Sequence, residues 1–353
     1  MTAAIQLSPT SEQEELRETV RRFLAQQAPM SSVRSAIGTE LGYDPQLWAR
    51  LNSELGVSGI AISEQRGGAG FGISELAMVM EECGAALLPA PLLGSAVMCG
   101  LVLDAIGDTS VLPRIASGEV VAGLVHDASV TVTDGVAYGS VSGVLDGMVA
   151  DLFVIITADS VYAVDAVATG ISRAPLVTMD LTRRQAAVEF SGARADRLGS
   201  AAHTASGLDR ATVALAAEQL GVMRRSVELA VAYAMEREQF GRKIGSFQAV
   251  KHGLADMYAS YELALGAVAY AARIADSDPS ELPVAASTAK AYLSPQSFDA
   301  TFQMIQYHGG IGFTWEHDAH LYYKRAKTNE TLLGDTTAHL ERIAAHLLDR
   351  VTQ

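Results

Sequence analysis

The chain has 353 residues, is 49% hydrophobic and 19% charged, and carries a formal net charge of -14 at pH 7. That length and apolar content suffice for two or three packed units, which excludes a disordered chain and a small disulfide-stapled scaffold. The acidic balance argues against a nucleic-acid partner, since proteins that bind phosphate backbones display a basic face. From Ser8 to about Gly118 the pattern is helical. Ser11-Glu12-Gln13-Glu14 offers a capping-box start, and Leu16, Val20 and Phe23 recur at three- and four-residue spacing. Further helices are expected around Gln46 to Leu55, Ile73 to Cys83 and Pro91 to Ile106. Between them lies Glu64-Gln65-Arg66-Gly67-Gly68-Ala69-Gly70. It fails the dinucleotide template, which would require a third glycine where Ile73 stands, so it reads as a glycine loop between helices. Near Glu119 the texture changes. Val120 to Val125, Val130 to Val132, Leu152 to Thr157, Val161 to Val164 and Ala187 to Phe190 are short, mostly rich in valine and isoleucine, and separated by Gly, Asp or Ser. They read as strands of a small β-domain ending near Gly199. The stretch from Gly135 to Gly147 is short and rich in Gly and Ser.

From about Leu208 helices return. Leu220, Met223, Val227, Ala230 and Ala234 trace one apolar face, and a second long helix is expected from about Ser246 to Ala275. Asp278-Pro279 and Pro283 break it before a third helix carrying Phe298, Phe302 and Ile305. A last helix follows Gly334-Asp335. The fold class is therefore α+β multidomain: an N-terminal helical domain over residues 1–118, a small middle β-domain over 119–206, and a C-terminal four-helix-bundle-like domain over 207–353.

Cys83 and Cys99 sit in an apolar region without metal-ligand spacing, and His317 and His320 lack an acidic or cysteine partner at useful spacing. Packing is expected for the two cysteines and surface or packing roles for the two histidines, and no metal. From Met1 to Ser11 there is no charged start followed by an apolar core, and no segment approaches the roughly 20 apolar residues that span a bilayer. A cytoplasmic protein with no membrane partner is the expectation.

Two motifs carry the chemistry. In Arg237-Glu238-Gln239-Phe240-Gly241-Arg242, running on through Ile244-Gly245-Ser246-Phe247-Gln248, the basic residues Arg237, Arg242, Lys243 and Lys251 form a local cluster able to hold a small anion. Arg237 also closes a helix, where a cation complements the dipole. Gln306-Tyr307-His308-Gly309-Gly310-Ile311-Gly312-Phe313 ends another helix. A C-terminal cap needs one glycine, whereas three at 309, 310 and 312 permit close backbone approach to a ligand.

Together with Glu54-Leu55-Gly56 and the glycine loop, these motifs resemble the acyl-CoA dehydrogenase family over essentially the whole chain. The resemblance implies FAD as cofactor and α,β-dehydrogenation of an acyl-CoA thioester. It implies that the two motifs reach across a dimer interface to the neighbouring subunit's FAD. Arg237 would make charge-assisted hydrogen bonds to the pyrophosphate, with Gln239 donating nearby, Phe240 giving apolar cover, and Phe247 and Gln248 completing the motif. Gln306, Gly309 and Gly310 would meet the adenosine half.

The same resemblance exposes departures. The family's base, a Glu directly before Gly-Thr, falls on Gly334 in Leu332-Leu333-Gly334-Asp335-Thr336-Thr337. Asp335 stands one residue later and is either a re-aimed base or the N-cap of the last helix. An alternative base position used by some members falls on Ala211 and Thr212, with Asp209-Arg210 two residues upstream. A missing base alone forfeits roughly 10² to 10⁴ in rate. Gly123-Leu124-Val125-His126-Asp127-Ala128-Ser129 has no counterpart of the family's own-flavin loop, and with only Trp48 and Trp315 in the chain the β-domain has no tryptophan. The expectation is a non-catalytic or weakly catalytic subunit that completes the FAD site of a homologous acyl-CoA dehydrogenase subunit, as a heterotetramer. Heteromeric bacterial members of the family act on bulky CoA thioesters such as steroid side chains, and electron-transfer flavoprotein or a similar acceptor is the implied redox partner. The alternatives are a self-sufficient homo-oligomer using Asp335 as base, and a flavin-free scaffold for acyl-CoA or a partner protein.

Overall fold

A computed structural model describes the backbone of residues 7–352 and the side chains of residues 7–348. Residues 1–6, and with them most of the segment from Met1 to Ser11, lie outside the described residues. In chain order the first helices are α1 (Ser11–Gln27), α2 (Met30–Ile37), α3 (Pro45–Leu55), α4 (Ile73–Ala85), α5 (Gly100–Ile106) and α6 (Leu112–Ala116). The capping box of α1 is set one residue earlier than expected. Thr10 is the N-cap, its hydroxyl accepting the Gln13 N–H while the Gln13 side chain accepts the Thr10 N–H. The single helix expected from Pro91 to Ile106 instead begins as a wide π-turn, Leu92–Cys99, before tightening into α5. The Ser95 hydroxyl there accepts the Ala122 backbone N–H at 2.8 Å.

The strands are β1 (Ala122–Val125), β2 (Thr131–Thr133), β3 (Val136–Leu145), β4 (Leu152–Ile156), β5 (Ser160–Asp165), β6 (Ile171–Pro175), β7 (Gln185–Arg194) and β8 (Asp196–Ser200). They form two four-stranded sheets, ordered β1-β4-β5-β8 and β2-β3-β7-β6. Among the described residues only the β1–β4 pairing is parallel. Both of those strands are buried throughout, which is why they read as unbroken apolar runs. Val125, Val144, Phe153, Ile155, Val188 and Phe190 lie in their shared core, with Phe153 and Phe190 edge to face at 5.7 Å. The Gly/Ser-rich stretch from Gly135 to Gly147 is mostly the ten-residue strand β3. Its register with β7 shifts twice, and Gly139 and Gly143 take φ of +117° and +86°, so these glycines allow the irregularities instead of making a loop.

The remaining helices are α7 (Thr204–Glu236), α8 (Gln248–Ser277), α9 (Leu282–His308), α10 (Ala319–Thr331) and α11 (Thr336–Thr352). A short hairpin, β9 (Glu238–Gln239) and β10 (Arg242–Lys243), separates α7 from α8. Leu220, Met223, Val227, Ala230 and Ala234 are buried along α7 as the periodicity implies. Pro283 sits inside the first turn of α9, where its missing N–H costs nothing, and does not precede the helix.

These elements fold as two compact units. One comprises residues 31–76 and 89–211; the other comprises residues up to 30, 77–88 and from 212 onward. Within the second, α4 and α7 cross on glycines: a Cβ on Gly221 would collide with the Glu81 carbonyl, and one on Gly84 with the Glu218 carbonyl. Around that crossing Arg224 reaches Glu81 and Glu82, Arg17 reaches Glu81, and Arg21 holds Glu82 at 2.8 Å. Burial raises Glu81 above the usual carboxylate range despite these cations. Burial pulls Glu82 the same way, but the hydrogen bond from Arg21 and the charge of Arg224 outweigh it and hold Glu82 low. A second buried network joins α7 to α10, where Arg325 pairs with Glu218 at 2.6 Å and Asn329 donates to the same carboxylate.

Candidate functional site

The Arg237 motif is folded by its own backbone. Phe240 and Gly241 take φ of +52° and +74°, the two-residue turn a tight hairpin demands, and Gln239 pairs with Arg242. Lys243 ties the hairpin back onto α7: its Nζ donates to the Glu236 carbonyl at 2.8 Å and pairs with Glu238 at 2.8 Å. The Ile244 N–H closes onto the Arg237 carbonyl at 2.8 Å. Phe247 is half-buried, with the Arg242 guanidinium 3.9 Å over its ring and the Phe240 ring edge-on at 6.2 Å. Arg237, Gln239 and Gln248 are exposed, and Phe240 is 93% exposed, too open for a residue serving its own core. Among the described residues the Arg237 guanidinium has neither hydrogen bond nor ion pair.

Gln306 is exposed in the last turn of α9, and Gly309 ends the helix with φ +63°, donating its N–H to the Ile305 and Gln306 carbonyls. A Cβ at Gly309, Gly310 or Gly241 would meet nothing within 4 Å, so all three present backbone to open space. Gly312 differs. A Cβ there would press on the Ile305 carbonyl and on His308, so this third glycine is explained by packing. The two motifs share one end of the helical unit. Tyr233, whose carbonyl caps the Arg237 N–H at 2.8 Å, stacks on His308 at 4.3 Å. Neither ring was singled out from the sequence, although Tyr233 stands one helical turn before Arg237.

The loop before α11 is arranged differently. Oδ1 of the exposed Asp335 accepts the Ala338 N–H at 2.9 Å, the geometry of an N-cap. Leu333 and Gly334 both take positive φ, +57° and +102°, and His339 contacts the Leu333 carbonyl at 3.0 Å. Burial pushes His339 down to about 4, helped by Lys290 nearby, which favours its neutral form, and its Nε2 is engaged by the Leu333 carbonyl. Ala211 and Thr212 are buried in α7, and the adjacent Arg210 is committed to Asp104 at 3.0 Å, which also holds Arg66 at 2.7 Å. Asp209 is itself buried. A free guanidinium can pair with an anionic group, and unobstructed glycine backbone allows close approach of a ligand from outside the unit. No comparable charge-directing group stands at position 334.

The profile of the acyl-CoA dehydrogenase C-terminal domain matches residues 201–348, and that of the N-terminal domain matches residues 10–119. The chain belongs to the acyl-CoA dehydrogenase family, whose members are FAD-dependent oxidoreductases. It is 36% identical over 338 residues to acyl-CoA dehydrogenase IpdE2 of Mycolicibacterium smegmatis, covering 96% of this chain and 99% of that one. Among solved structures it is similar to the ChsE4-ChsE5 complex from Mycobacterium tuberculosis, with a TM-score of 0.87 and 27% identity over 98% of this chain and 99% of that one. A variant of the Tcur3481-Tcur3483 steroid ACAD gives a TM-score of 0.85 and 26% identity over 97% and 99%. The family resemblance and the expected α+β architecture therefore hold. Among the described residues no helix is long and apolar enough to cross a membrane.

Proposed function

We propose that this chain is the non-catalytic or weakly catalytic subunit of a hetero-oligomeric acyl-CoA dehydrogenase. In this reading Arg237, Gln239, Phe240, Phe247, Gln248, Gln306, Gly309 and Gly310 complete the FAD site of a homologous catalytic subunit, within a heterotetramer. The observation that carries it is a contrast within one unit: an exposed, unneutralised Arg237 and open glycine backbone on one side, and a base position that falls on Gly334 on the other. Asp335 spends its carboxylate on the Ala338 N–H, which counts against the self-sufficient homo-oligomer. The likeness to a complex of two named chains and to a steroid ACAD supports a mixed assembly acting on a bulky acyl-CoA thioester. When bound, FAD would accept the β-hydrogen as hydride while a base of the catalytic partner takes the α-proton. This chain's residues contribute binding and orientation at the cofactor's far end. Electron-transfer flavoprotein or a similar acceptor, and a cytoplasmic location, complete the proposal.

Absorbance at flavin wavelengths provides the test. The lone purified chain is expected to carry little FAD, and co-expression with the homologous subunit to restore both colour and dehydrogenation. Arg237→Ala in the mixed assembly should lower its FAD content. Stoichiometric FAD in the lone chain defeats the proposal, and unchanged occupancy with Arg237→Ala favours the flavin-free scaffold.

A further inference from the structure

We propose that the ring cluster of Tyr233, His308 and His317, in which Tyr233 stacks on His308, is a brace that holds the two flavin-directed motifs in register, making Tyr233 and His308 positioning residues for the partner's FAD. This rests on the reading above.

The Arg237 hairpin and the Gly309–Gly310 turn follow helix ends 71 positions apart in sequence, so their alignment must come from packing.

 
Those 71 positions run from Arg237, at the end of α7, to His308, at the end of α9. Among the described contacts, the stack joins these two ends directly. The Tyr233 and His308 rings lie 4.3 Å apart and within 28° of parallel. Tyr233 carries Arg237 through its carbonyl, which accepts the Arg237 N–H at 2.8 Å. His308 carries the glycine turn, since Gly309 follows it and Gly312 packs against its Cβ. The His308 ring is fixed in turn. It is buried, its Nδ1 donates to the Met304 carbonyl at 2.7 Å, and burial favours its neutral form. His317 lies 4.4 Å from it, and its own Nδ1 accepts the Ala319 N–H at the start of α10. Gly309 and Gly310 have no other neighbours at their Cβ positions, so the turn depends on what flanks it. A ligand gripped at two points loses affinity when the points drift, because each contact must then be made at the expense of the other.

The test uses the flavin-loaded mixed assembly and FAD itself as probe, measuring the FAD dissociation constant and the melting temperature. His308→Ala and Tyr233→Leu should each weaken FAD about tenfold, while Tyr233→Phe, which preserves the stack, stays within about twofold of the parent and His308→Phe, which keeps a ring but loses the Met304 hydrogen bond, loses less than His308→Ala. In the parent the effects of Arg237→Ala and Gln306→Ala should be non-additive, and in His308→Ala they should become additive. The brace is overturned if the ring-deleting variants bind FAD as the parent does, or if the Phe variants lose as much as they do. Arg237→Ala separates the two levels: if it too leaves FAD binding intact, the trans-site reading itself fails, whereas a loss with Arg237→Ala alone removes only the brace.

Discussion

Asp335 and Lys290 are two charged side chains whose sequence context says little about what they do. Asp335 follows Gly334 at the point where a base would be sought, yet its Oδ1 is taken up by the Ala338 N–H. Asp335→Ala should therefore cost about 0.5 to 2 kcal/mol in denaturant unfolding, while Asp335→Asn, which can still cap, leaves turnover of the mixed assembly unchanged. A rate loss of several orders of magnitude with Asp335→Asn at constant flavin content would reinstate it as the base. Lys290 is fully buried, with Nζ donating to Ser294 Oγ and the Asn329 carbonyl at 2.8 Å each and to the Glu330 carbonyl at 3.1 Å. Burial lowers it from 10.5 to about 8, against the opposing pull of Glu330 and Asp335. Between those values the unfolded chain binds the extra proton, so this residue makes stability rise with pH from about 8 towards 10.5, by up to about 3 kcal/mol. Unfolding curves for Lys290→Met should lack that increment relative to the parent; identical pH profiles would contradict the assignment. Nothing in Ala289-Lys290-Ala291 distinguishes this lysine from a solvated one.

At the scale of elements, legibility followed the kind of surface each one buries. The long helices were readable because their buried faces are apolar, as along α7 from Leu220 to Ala234. Helix α10 was not anticipated because the face it buries includes His320, Arg325 and Asn329, which blur the apolar period. Strand β3 was hidden by glycines that permit its bulges. The site divides in the same way. Arg237 to Gln248 and Gln306 to Gly310 stood out as motifs, whereas the Tyr233–His308 contact is a tertiary pairing with no local signature. The crossing of α4 and α7 was likewise invisible, since Gly84 and Gly221 look like ordinary weak points in a helix until the carbonyls opposite them are known. Gly221→Ala should lower stability by about 1 to 3 kcal/mol despite the better helix propensity of alanine, because backbone cannot give way as a side chain can. A melting temperature at or above that of the parent would show that the helices can separate at little cost.

At the scale of the molecule, the apolar side chains left in solvent are concentrated on the helical unit. Met235, Phe240, Phe313 and Trp315 flank the two motifs, while Tyr258, Leu263, Leu340, Leu347 and Leu348 lie along α8 and α11. An exposed apolar surface of this kind belongs with a chain that works in an assembly, in keeping with the mixed oligomer proposed here. The loop before α11 bears on the vacant base position. At φ +102° only glycine sits without strain, and a β-carbon there would come within 3.1 Å of His339 Nε2. A glutamate placed there would meet the wrong backbone handedness and press on the His339 ring. Gly334 thus makes the vacancy a property of the backbone and not of one missing side chain: on the reading proposed above, Gly334→Glu alone is expected to leave the lone chain without dehydrogenation.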